Sequence, residues 1–176
     1  MKRCLMLALL ALLTACASLL TRDLPQLQIA PAALGQPRTV QQQLQISYPG
    51  GGAVMDAVLQ MDQDNVEVIA SAMGLRMATL DYDGHALKAQ TLPAMKVPPQ
   101  RIMNDLLMVF APHNVLQQAL PQGWVVHDDG NKRTILRGDD PTIDITWDNP
   151  DHWQGRAVLV HHQLAYTLTI DSSTVE

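Results

Sequence analysis

Residues 40–61 read VQQQLQISYPGGGAVMDAVLQM, and this stretch decides the fold. Successive side chains of an extended chain point to opposite faces. Val40, Leu44, Ile46 and Tyr48 therefore share one face, with Gln41, Gln43, Gln45 and Ser47 opposite. Pro49-Gly50-Gly51-Gly52 is a turn that only glycine-rich sequence makes easily. The chain then resumes with Met55, Ala57, Leu59 and Met61 on one face and Asp56, Gln60 and Asp62 on the other. Two half-apolar strands joined by a turn predict an antiparallel sheet with one wet face.

The same alternation recurs outward from this hairpin. Val66, Val68 and Ala70 alternate with Asn65, Glu67 and Ser71, and Asp81-Tyr82-Asp83-Gly84 predicts a turn between strands near 75–81 and 85–91. Further on, Trp124–His127 and Lys132–Arg137 flank Asp128-Asp129-Gly130-Asn131. Ile143, Ile145 and Trp147 alternate with Thr142, Asp144, Thr146 and Asp148. Leu164, Tyr166, Leu168 and Ile170 do so with Ala165, Thr167, Thr169 and Asp171. Between the two strand groups the period changes. Ile102, Met103, Leu106, Leu107 and Phe110 recur at helical spacing after Pro98-Pro99, and proline suits a first helical turn. Pro112 ends this helix, and a second short one covers Asn114 to Leu120 before Pro121 and Gly123.

The fold class expected is mainly β (α+β): an incomplete antiparallel β-barrel of about ten strands with a helical lid. The faces Met55/Ala57/Leu59/Met61, Ile143/Ile145/Trp147 and Leu164/Tyr166/Leu168/Ile170 should share one concave side, covered by Ile102, Leu106 and Phe110. No other apolar element is long enough to cover them.

At the N-terminus, Lys2 and Arg3 precede an uncharged apolar run from Leu5 to Leu13. A bilayer span needs about 20 residues, so this run has the length of a signal-peptide core instead. It ends in Leu13-Thr14-Ala15-Cys16, which resembles the lipobox of bacterial lipoproteins. Residues 1–15 are expected to be a signal peptide, with Cys16 acylated as the first mature residue. Residues 16–37, with several prolines and no sustained period, read as a lipidated tether, and 38–176 as the folded domain. Ala17 and Ser18 differ from the aspartate of inner-membrane retention signals, so the expected location is the outer membrane, periplasmic face.

Composition narrows the function. Loss of Lys2 and Arg3 moves the net charge from −5 to −7, which leaves no electrostatic footprint for nucleic acid. Cys4 leaves with the leader and Cys16 is blocked, so neither a disulfide nor a cysteine-ligated metal is expected. The histidines, His85, His113, His127, His152, His161 and His162, read as surface or lightly buried, without carboxylates at ligand spacing. No serine sits in a nucleophile elbow. Asp81/Asp83, Asp128-Asp129 and Asp139-Asp140 lie in turn contexts, and Asp62-Gln63-Asp64-Asn65 lacks the glycine and glutamate of a calcium loop. No catalytic residue, metal or cofactor is expected, and the chain reads as a non-enzyme.

Methionine is the compositional oddity. Met55, Met61, Met73, Met77, Met95, Met103 and Met108 remain after cleavage, in a chain with few aromatics. Flexible thioethers fill gaps in a core, and they also line surfaces that accept apolar partners of variable shape. Both readings stand.

The order of lipobox, tether, five strands, a helical pair after a proline pair, and further strands resembles the LolA/LolB-type fold of lipoprotein carriers and receptors. Val66–Gly74, Leu80–Gly84 and Leu92–Leu120 resemble a proteobacterial outer-membrane lipoprotein family of unknown function that accompanies aryl-polyene lipid gene clusters. The resemblance implies an apolar cavity between sheet and lid, lined by Met55, Leu59, Met61, Ile102, Leu106, Phe110, Trp147, Tyr166 and Leu168. It also implies that Met73, before Gly74, is an exposed apolar probe of membrane or substrate. The expected partners are the membrane, through acyl chains on Cys16, an apolar lipid or acylated protein, and a periplasmic carrier protein; the expected state is a monomer. The alternative is a structural lipoprotein that docks on an envelope assembly without binding lipid.

Overall fold

The computed structural model describes residues 25–93, 95 and 97–174. The signal peptide expected over residues 1–15 and the acylation expected at Cys16 fall outside the described residues. The first five strands are β1 (Arg38–Tyr48), β2 (Gly51–Met61), β3 (Val66–Ala72), β4 (Leu75–Tyr82) and β5 (Leu87–Thr91). Helices α1 (Pro99–Phe110) and α2 (His113–Ala119) follow. The chain continues as β6 (Trp124–Asp129), β7 (Lys132–Arg137), β8 (Asp140–Trp147), β9 (Gly155–His161) and β10 (Tyr166–Thr174). The helices start and stop where proline dictates. Pro98 is extended and Pro99 opens α1. Ala111 is extended ahead of Pro112, as a residue before proline prefers, and that ends it.

All ten strands form one antiparallel sheet in the order β5-β4-β3-β2-β1-β10-β9-β8-β7-β6. The first and last strands meet in its middle, with Leu44 opposite Ile170 and Ile46 opposite Leu168. The barrel stays open between β5 and β6, where the sequence passes through the helices. This is the incomplete antiparallel barrel with a helical lid that the alternation predicts. The edge at β6 is covered by a side chain. Gln117 of α2 accepts from Val126 N at 2.8 Å and donates to Trp124 O at 3.2 Å, as a neighbouring strand would.

The lid lies inside the barrel. Every residue of α1 from Met103 to Phe110 is buried, including Asn104 and Asp105. One face meets Leu44, Ala57, Leu59, Ile143, Ile145, Leu159, Leu168 and Ile170 of the inner sheet surface, which form one cluster with it. Its other face is covered by the N-terminal segment, where the tether reading needs correction. Pro25, Leu27, Ile29, Pro31 and Leu34 are buried, and Gln26, Gln28 and Ala30 between them are exposed. The segment is a strap that crosses α1 and the β4–β5 turn, short of a ladder because its prolines cannot donate to one. Burying side chains such as Leu27, Ile29 and Leu34 stabilises by about 1.5–3 kcal/mol each, which holds the segment down.

Two polar groups fix the strap. Tyr82 Oη accepts from Ile29 N at 2.9 Å and faces the carbonyls of Leu27 and Gly84 at 3.2 and 3.0 Å. Asn104 Nδ2 donates to Pro25 O at 2.8 Å, and its Oδ1 accepts from Leu27 N at 3.3 Å. The crossing requires glycine at position 84. Its φ is +94°, and a Cβ there would stand 3.1 Å from the Ala30 Cα and 3.2 Å from Pro31.

Candidate apolar ligand site

Strand direction gives the barrel two ends. The β1–β2, β3–β4 and β9–β10 turns lie at the Tyr48 end, whereas the β2–β3, β4–β5 and β8–β9 connections lie at the Arg38 end. Helix α1 runs between them. Its first turns meet Ile46, Met55 and Leu168 near the Tyr48 end, and its last residue, Phe110, stacks on Trp153, which Arg38 covers.

The Arg38 end is clamped. Arg133, on the inner face of β7, is 1% exposed. Its guanidinium donates to Met108 O and Ala111 O, each at 2.8 Å, and to both carboxylate oxygens of Asp128. Four of its donors thus serve the last carbonyls of α1 and one carboxylate, a fork geometry that lysine could not supply. Burial pushes the Asp128 carboxyl up, but Arg133 and His113 hold it below the ordinary value. The turn reading of Asp128 is therefore corrected: it lies on β6 and neutralises a buried cation. Asp62 and Asp83 do cap turns, accepting from Asp64 and Asn65 and from His85 and Ala86.

The Tyr48 end carries an apolar recess between lid and sheet. Leu44, Ile46, Met55 and Leu168 line it from the sheet, Ile102, Asp105 and Leu106 from α1, and Val97 from the segment before α1. Its volume is about 30 Å³. That is about the share of one water in the liquid, so no long acyl chain fits while α1 stays in place. The expectation of an open cavity is corrected accordingly: the helix itself fills the barrel. Of the residues expected to line it, Met55, Ile102, Leu106 and Leu168 converge on the recess. Leu59 and Met61 are packed in the solid core. Phe110 lies against Trp153, and Trp147 stacks on the ring of His152 with the Arg133 guanidinium carbon 5.3 Å from its ring centroid. Tyr166 contributes its hydroxyl to Asp105 instead. Leu164, expected on a strand face, is partly buried in the turn before β10.

Asp105 is the residue that sequence reasoning passed over. It is 4% exposed and borders the recess, and both carboxylate oxygens face the one hydroxyl of Tyr166, at 2.9 and 2.7 Å. Burial pushes its carboxyl up to about 7, against the opposing pull of Tyr166 and Arg101. Arg101 lies with its guanidinium carbon 5.9 Å from the Tyr166 ring centroid. His161 is 1% exposed, which corrects the reading of the histidines as surface or lightly buried. Its Nδ1 accepts from Leu164 N, and burial lowers the ring to about 4, with Arg101 adding to the effect. The signal available in the sequence was a carboxylate set directly before Leu106-Leu107 in a helix bounded by prolines.

The Tyr48 half of the barrel also exposes apolar side chains, most of them on the outer surface of the sheet. Among the described residues the large exposed apolar side chains are Tyr48, Val54, Met73, Leu75, Leu92 and Val125, and the strand registers put all of them in the Tyr48 half. Met73 is 97% exposed at the tip of the β3–β4 turn, with φ +50°, ahead of Gly74. No group of three or more His, Cys, Asp or Glu among the described residues is placed to hold a metal ion. No helix among them is long and apolar enough to cross a membrane.

Comparison with solved structures finds likeness of overall course at very low identity. A LolA superfamily protein from Nitrosomonas europaea has a TM-score of 0.41 and 9% identity, over 89% of this chain and 90% of that one. A DUF1329 family protein from Desulfovibrio piger has a TM-score of 0.41 and 8% identity, over 91% of this chain and 90% of that one. No curated protein matches the sequence. Residues 39–174, from β1 to the end of β10, match the family described as protein of unknown function (DUF3261), and the chain belongs to that family.

Proposed function

We propose that this protein is an outer-membrane lipoprotein, held on the periplasmic face by acyl groups on Cys16, that binds the acyl chain of a lipid or acylated protein between α1 and the sheet. The observation that carries the reading is the recess, where apolar side chains of lid and sheet face each other without closing, in the half of the barrel that also carries the exposed apolar side chains. An entering chain would separate Ile102 and Leu106 from Leu44, Ile46, Met55 and Leu168 and take their place against both. Each methylene buried contributes about 0.8 kcal/mol, and a bilayer offers a similar gain. Such a site exchanges its ligand with a membrane without trapping it. That role needs no nucleophile, base or metal, and the reading is of a binding protein, not an enzyme. Met73 and Leu75 would make the contact with the membrane, with a polyene or other long-chain lipid as ligand and a periplasmic carrier as donor.

The filled interior supports a second reading, a structural lipoprotein whose exposed apolar side chains dock on an envelope assembly. Titration of the protein with a fluorescent long-chain acyl amide separates the two. Saturable binding, abolished by Leu106→Asp and retained by Met73→Asp with slower delivery to liposomes, is the expected result. Absence of saturable binding would favour the structural reading. The anchor is tested separately: incorporation of a clickable fatty acid by cells should be lost in Cys16→Ser.

A further inference from the structure

One hydroxyl carries one hydrogen, yet two carboxylate oxygens of Asp105 face that of Tyr166. An ionised carboxylate has about four lone-pair sites, so most of the acceptor capacity of Asp105 is unused in a buried, apolar place. Uncompensated acceptors of that kind are costly to leave dry. The remaining wall of the recess is Leu44, Ile46, Met55, Val97, Ile102, Leu106 and Leu168, with no donor among their side chains. The charged and titratable groups nearest Asp105 are Tyr166 on β10, Arg101 on its own helix and His161 on β9. None but Asp105 borders the recess. Arg101 lies over the ring of Tyr166, and the ring of His161 is 5.2 Å from that of Tyr166.

We infer that the recess selects acyl ligands whose polar end is an uncharged hydrogen-bond donor, an amide N–H or a hydroxyl, and rejects free fatty acids. The inference rests on the acyl-binding reading above and narrows its ligand class. The donor would bond to the unused lone pairs of Asp105, while the chain runs along the sheet beside Leu44 and Leu168. A carboxylate head would instead meet a like charge in a site from which water is excluded, the costliest pairing available there. Amide-linked acyl groups and acylglycerols share the required chemistry.

The test uses the full chain in isolated membranes and two clickable diazirine probes of equal chain length, one ending in a primary amide and one in a carboxylate. Labelled peptides spanning Val97–Leu106 are counted by mass spectrometry at about pH 8, above the value near 7 where Asp105 gains its proton. The amide probe should label roughly tenfold more than the carboxylate probe, the factor that one charge-assisted hydrogen bond supplies. That preference should shrink toward about pH 6, as Asp105 takes up its proton. In Asp105→Asn the carboxylate probe should gain labelling, because the amide side chain can donate to it. A misfolded variant would change labelling by both probes alike, so the gain is read as a rise in the ratio of carboxylate to amide labelling. Equal or stronger labelling by the carboxylate probe in the unsubstituted protein overturns the inference while leaving acyl binding intact. A carboxylate signal unchanged by Asp105→Asn overturns the role of Asp105. No labelling by either probe removes the acyl-binding reading and this inference with it.

Discussion

The two ends of the barrel treat the same helix differently. At the Arg38 end, α1 finishes under Arg133, whose guanidinium binds Met108 O, Ala111 O and Asp128, while Phe110 stacks on Trp153 at a centroid distance of 4.2 Å. At the Tyr48 end, α1 begins beside an unfilled apolar recess and a buried carboxylate with one donor, in the half of the barrel that exposes Tyr48, Met73 and Leu75. Buried Nε of Arg101 and Nε2 of His161 also lack partners there among the described residues. Fixed partners hold α1 at the Arg38 end, whereas its interactions at the Tyr48 end are left unspent. Local opening draws on regions with few buried contacts, so it should start at the first turns of α1.

The largest effect should come from the clamp. Arg133→Met strands two helix-end carbonyls and Asp128, and should lower stability by about 3–5 kcal/mol in urea denaturation. A loss below about 1 kcal/mol would mean that the Arg38 end is no firmer than the other. The strap comes next. Leu27→Ala should cost about 2–5 kcal/mol, since the side chain is 1% exposed beneath α1. A free tether would show no change.

The ends should also respond oppositely to pH. The folded value of Asp128 lies below its ordinary one, so its contribution is present above that ordinary value and is lost as pH falls through the depressed one. Asp105 is the reverse, with a folded value raised from 3.8 to about 7. Folding then binds the proton more tightly, so stability declines as pH rises from about 4 to about 7 and levels off above that. Asp105→Asn should flatten this decline, which amounts to a few kcal/mol at most, and Asp128→Asn should spare it. Denaturation midpoints across that range check both. The smallest effect on stability belongs to the exposed apolar residues: Met73→Ser should change it by less than about 0.5 kcal/mol. In a flotation assay it should nonetheless reduce binding of the protein to liposomes.

The sheet was legible because alternation is a local signal. Val40–Tyr48, Met55–Met61 and Ile143–Trp147 each show their faces within a few residues, and the prolines bound α1. The strap was not, although Leu27 and Ile29 alternate with Gln26 and Gln28, because Pro25 and Pro31 hide a short period in loop-like composition. Asn104 and Asp105 were passed over for a geometric reason. On a helix with Ile102, Met103, Leu106 and Leu107 they fall on the face that would be wet on a surface lid. Inside a barrel no face is wet, and that follows from the β1–β10 pairing, a contact between the two ends of the sequence. Arg133 was invisible for the same reason: its partners Met108 and Ala111 are distant in sequence.

Amide hydrogen exchange of the protein with and without a long-chain acyl amide reads out which end of α1 a ligand engages. Saturating ligand should change exchange in the first turns of α1, from Gln100 to Leu106, and in the facing strands near Ile46, Met55 and Leu168. Exchange around Met108–Ala111 and Arg133 should stay as it was. No change anywhere at ligand concentrations that saturate the fluorescent titration, or a change confined to the Arg38 end, would contradict binding of the acyl chain between α1 and the sheet.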